Sequence, residues 1–71
     1  MSTEYHAYLV NADGKQAKVP FLRIDGGTTK NAVSLALKRH LRHFNLEAHD
    51  NSAEGYSVSR VATVRNGELV R

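Results

Sequence analysis

Four histidines, His6, His40, His43 and His49, are the side chains that could ligate a metal or move a proton near neutral pH. A zinc site needs three or four ligands that converge tetrahedrally. His40 and His43 stand at i, i+3 on an expected helix, with His49-Asp50 in the loop after it. His40 falls at the edge of the apolar stripe and His43 on the basic side, so no third ligand joins them. Packed or partly exposed histidines, with no metal, are expected. Gly26-Gly27-Thr28-Thr29-Lys30 places glycines before a helix start, where free N–H groups attract anions. The order of a nucleotide loop, Gly-Lys-Ser/Thr after a longer glycine frame, is absent. A helix cap after a turn accounts for these residues. There is no cysteine and no Gly-x-Ser-x-Gly elbow. The carboxylates Asp13, Asp25, Asp50 and Glu54 all fall in turns or loops. The expectation is a chain that is not an enzyme and uses no cofactor.

The cations carry more information. Net charge is +3, and no acidic residue stands between Asp25 and Glu47, where Lys30, Lys38, Arg39 and Arg42 gather. One reading is a solvated helix face whose late basic residues suit the negative end of the helix dipole. A second is a footprint for phosphate or for an acidic protein surface. Arg60 and Arg65 add cations farther along, and tyrosines could supply stacking surfaces.

The elements that must position these residues are read from periodicity. Glu4–Asn11 alternates as a strand, with Tyr5, Ala7 and Leu9 on one face and His6, Tyr8 and Val10 on the other. Asp13-Gly14 is a turn signal, and Gln16–Ile24 returns as a second strand in which Pro20 marks an edge or a bulge. Thr28 or Thr29 caps a helix from Lys30 to about Leu46, with Val33, Ala36, Leu37, Leu41 and Phe44 as its apolar stripe. Glu47–Gly55 is polar and reads as a loop. Tyr56–Arg65 is the third strand, and after Asn66-Gly67 the residues Glu68–Arg71 form a short returning strand or a frayed tail. The expected fold is α+β, in the order ββαβ: a three-stranded antiparallel sheet, order 2-1-3, with one helix on one face and room for a short fourth strand. The other face is open, with Tyr8, Val10 and Leu22 as an apolar patch on it.

Seventy-one residues make one domain, 1–71, which buries about 60% of the surface its unfolded chain exposes. Absence of cysteine favours a cytoplasmic protein over a small secreted one. Neither a signal peptide nor a membrane-spanning run is legible. A monomer is expected.

Two short stretches carry a resemblance. Ala17-Lys18-Val19-Pro20-Phe21 and Glu54-Gly55-Tyr56-Ser57-Val58-Ser59-Arg60-Val61 resemble the second and third strands of the small inhibitors of host RNA polymerase made by short-tailed lytic coliphages. The layout is similar over roughly residues 4–65. The resemblance implies a phage protein that regulates transcription by binding RNA polymerase. In that family two arginines on the third strand contact the polymerase; the first matches Arg60 and the second falls on Ala62. That family's helix is acidic, whereas this one is basic. The layout is also similar to a small archaeal protein of the large ribosomal subunit, whose family is basic and binds RNA.

The functional expectation is therefore a small non-enzymatic regulatory protein that docks on a larger protein. Arg60, Tyr56, Lys38, Arg39 and Arg42 carry the contact. The alternative is a nucleic-acid-binding domain that uses the basic helix face.

Overall fold

The computed structural model describes residues 2–52 and 54–70. Its elements run β1 (Ser2–Leu9), β2 (Leu22–Asp25), α1 (Thr29–Lys38), β3 (Phe44–Ser52), β4 (Gly55–Arg65) and β5 (Glu68–Val70). All five strands join one antiparallel sheet in the order β2-β1-β3-β4-β5. β2 and β3 both run antiparallel to β1, which lies between them, so α1 is the crossover of a split βαβ unit.

The expected three-stranded sheet of order 2-1-3 is thus corrected to five strands. Tyr56–Arg65, expected beside the first strand, is β4 and pairs with β3 instead. The inserted strand is Phe44–Ser52, read from sequence as a helix end and a loop. Phe44, Leu46 and Ala48 face the core from it, while Asn45, Glu47 and His49 alternate onto the other side. Strict period 2 of this kind makes a strand with one face covered.

The helix is ten residues long, not seventeen. Thr28 is its N-cap, with φ −113° and ψ 161°, and its Oγ1 accepts from Asn31 N at 3.2 Å. His40, at φ 63°, ends it. His40 N donates to Leu37 O at 3.0 Å and Leu41 N to Ala36 O at 3.4 Å. These two bonds make a Schellman closure with a histidine in the left-handed position that glycine usually fills. Leu41 and Phe44 still reach the core, but from the connection and from β3 rather than from a helical stripe. The expected second strand shrinks to Leu22–Asp25; before it, only the isolated bridge Val10–Gln16 joins the returning chain to β1. Asn66 and Gly67, at φ 54° and 79°, form a two-residue turn with both centres left-handed, and β5 returns from it. Arg71 lies outside the described residues.

α1 covers one face with Ala32, Val33 and Ala36 against Tyr5, Ala7, Ile24, Phe44, Leu46 and Val64. Leu22 packs beside this core, so the expected apolar patch of Tyr8, Val10 and Leu22 on the open face does not form. On β4 the register slips between Leu46 and Glu47: Leu46 opposes Ala62, yet Glu47 opposes Arg60. Val61 is the extra residue, a β-bulge. It keeps Ala62 and Val64 on the helix side while Tyr56, Val58 and Arg60 share the open side.

Candidate binding surface

The open side of the sheet holds Glu4, His6 and Tyr8 of β1, with Asn45, Glu47 and His49 of β3 beside them. Tyr56, Val58 and Arg60 of β4 stand opposite Asn51, His49 and Glu47. Most of these polar groups bond to one another. His6 Nε2 donates to Glu4 Oε1 at 2.9 Å. His49 pairs through Nδ1 with the Tyr56 hydroxyl, and its Nε2 stands 3.6 Å from Glu47 Oε2. That Nε2 is buried and has no hydrogen-bond partner. Gln16 reaches over from the first connection: its Oε1 accepts from Asn45 Nδ2 at 3.0 Å, and its Nε2 donates to Glu47 Oε1 at 3.2 Å. Arg60 Nη2 donates to the same Gln16 oxygen at 3.4 Å.

Four rings form a continuous stripe across three strands. Centroid distances are 6.3 Å for Tyr8–His6, 3.9 Å for His6–His49 and 5.6 Å for His49–Tyr56. Partial burial pushes the Tyr8 hydroxyl pKa up, and the Glu47 carboxylate adds to the shift. The stripe ends in an exposed Tyr56, 62% accessible, with Val58 at 52% beside it. Its hydroxyl bond to His49 orients the Tyr56 ring before any partner arrives. The face is not electropositive: Arg23 and Arg60 are balanced by Glu4, Asp25 and Glu47.

β4 has a second free aspect. β5 pairs only with Thr63, Val64 and Arg65. From Tyr56 to Ala62, β4 has β3 on one side and no strand on the other among the described residues.

The expected site residues divide between two surfaces. Tyr56 and Arg60 come together on the open face. Lys38 lies in the last turn of α1, Arg39 is its C-cap, and Arg42 belongs to the connection into β3 rather than to a helix face. Arg42 precedes the Phe44 end of β3, while Tyr56 lies near the Ser52 end, roughly 26 Å away at strand rise. The His6–His49–Tyr56 cluster escaped sequence reading because it depends on the register of β1, β3 and β4. An alternation running Asn45, Glu47, His49 was the signal that pointed to it.

Among the described residues, no group of three or more His, Cys, Asp or Glu could hold a metal ion, and no helix is long and apolar enough to cross a membrane. The chain matches no known protein-family profile, no curated protein and no solved structure.

Proposed function

We propose that this chain is a small non-enzymatic regulatory protein, acting in the cytoplasm, that docks on a larger protein through β4. The observation that carries the reading is the exposed row Tyr56, Val58, Arg60 on one side of a strand whose outer edge is open from Tyr56 to Ala62. A guanidinium in this position offers a bidentate bond to a carboxylate. The tyrosine offers apolar area, and its tether to His49 lowers the ordering cost of burying it. An open edge also accepts a strand from the partner. Bacterial RNA polymerase is the target nominated by the resemblance of residues 54–61 to the phage inhibitors.

Affinity capture from a bacterial lysate, with and without nuclease, tests this reading. Discrete protein bands that survive nuclease, include polymerase subunits and disappear with Arg60→Ala or Tyr56→Ala are expected. Neutralising Lys38, Arg39 and Arg42 together should leave those bands in place. Loss of every band on nuclease treatment, or retention of all of them by Arg60→Ala, would sink the reading.

A further inference from the structure

We infer that the end of the sheet opposite Tyr56 is a second site, a cleft that takes single-stranded nucleic acid. Three connections meet there: residues 10–21, residues 39–43 and the turn at Asn66-Gly67. Val10 N donates to His43 O at 3.1 Å and ties the first to the second. Gly67 N donates to Arg42 O at 3.0 Å and ties the third to the second. Gly14 sits so close to Arg65 that a Cβ there would lie 3.2 Å from its Nη2.

Between the first two connections lies a cleft of about 630 Å³. Leu9, Val10 and Leu41 give it apolar walls, and Lys15, Arg42 and the imidazoles of His40 and His43 line it as well. Lys15 is held by a closed local frame. Asn11 Oδ1 accepts from Asp13 N at 3.0 Å and from Lys15 N at 2.9 Å, and Ala17 N donates to Leu9 O at 2.8 Å. Arg65 and the helix-end pair Lys38 and Arg39 add cations at the same end. Asp13 in the first connection and Glu68 at the start of β5 oppose them, and Glu47 reaches the cleft's edge only through its bond to Gln16. The other four carboxylates, Glu4, Asp25, Asp50 and Glu54, stand elsewhere on the sheet or at its far turn.

Charge of this sign and an apolar wall in one cleft match an unpaired nucleotide. The cations meet backbone phosphates, and the base lies against leucine and imidazole. A duplex keeps its bases stacked away from such a wall. An acidic peptide would satisfy the cations and leave the wall unused. Gln16, which lines the cleft and accepts from Arg60, is where this site borders the β4 face; Lys15, Arg42, His40 and His43, which carry the inference, lie outside that face.

The test is fluorescence anisotropy of the full chain with labelled oligouridylate of about ten nucleotides. Binding should weaken with salt, with a log–log slope near −0.7 per phosphate contacted. Both Lys15 and Arg42 are exposed, so the double variant Lys15→Gln/Arg42→Gln should keep its circular dichroism. It should bind tenfold or more weakly, with a slope shallower by roughly 1.4. Lys30→Gln, which removes a cation at the opposite end of α1, should bind the oligonucleotide as the parent does, and a duplex of equal length should bind less well. No binding at about 50 mM salt, parental affinity in the double variant, or equal displacement by polyglutamate would each overturn the inference.

Discussion

The imidazole rings of His6 and His49 stack across β1 and β3 with centroids 3.9 Å apart and planes at 30°. His49 is buried, at 8% exposure, and spends one nitrogen on Tyr56 while the other stays unbonded. Truncation and replacement of this ring should therefore differ. His49→Ala leaves a void beneath His6 and frees the Tyr56 hydroxyl, for a loss of about 1–3 kcal/mol. His49→Phe keeps a ring for His6, removes the orphaned nitrogen and gives up the tyrosine bond and the 3.6 Å approach to Glu47, so it should stay within about 1 kcal/mol of the parent. Urea unfolding of the two variants decides it; equal losses would show that the polar atoms matter more than the ring.

Phe44 is fully buried and stands where the helix connection enters β3. Phe44→Ala should cost about 3–5 kcal/mol. A core of this size supplies little more than that, roughly 3–5 kcal/mol in net stability. The variant should lose its dispersed amide proton spectrum at room temperature. A well-dispersed spectrum would mean that the core collapses around the gap.

His40 carries a side chain at φ 63°, in the left-handed position of the helix closure. Glycine is free of the steric penalty there, so His40→Gly should stabilise by about 0.5–1 kcal/mol. For a domain of this length that is a rise of roughly 3–6 °C in Tm. His40→Ala, which keeps the Cβ, should show no such rise in the same thermal melts.

Tyr8 should titrate above the ordinary tyrosine value, because partial burial and the Glu47 carboxylate both disfavour the phenolate. The sign follows directly. Above about pH 10 the unfolded chain releases this proton more readily than the folded one, so stability falls as pH rises past that point. Absorbance titration of the parent against Tyr8→Phe isolates the step. A Tyr8 step at or below the ordinary value would contradict the packing described around it.

How much of this could be read in advance varies by element. β1, a threonine cap at Thr28 or Thr29 and the Asn66-Gly67 turn were legible because each has a local signal: alternation, a hydroxyl before the helix, and a dipeptide suited to left-handed angles; the structure chooses Thr28. The short helix was not. Arg39-His40-Leu41-Arg42-His43 holds no glycine or proline, and Leu41 and Phe44 extend the helical spacing by coincidence, since both are buried for other reasons. Turn-prone His49-Asp50-Asn51-Ser52 then hid the end of β3. With β3 missed, the sheet closed in the wrong order, and the separation of Arg42 from Tyr56 could not appear. Arg60 and Tyr56 were placed on the right strand and alternation puts them on one face, but which side of the sheet that face takes depends on a bulge that sequence does not announce.

That bulge makes Val61 a punctuation mark in the strand. Paired evenly instead of bulged, with Val61 opposite Glu47, the same sequence would turn Tyr56, Val58 and Arg60 under the helix and bring Ser57 and Ser59 out in their place. Losing the Val61 codon would close the bulge with Ala62 still opposite Leu46 and Arg60 still opposite Glu47, so the exposed face would survive. The identity of that face is thus a phase of the strand, set by a residue that takes no part in it.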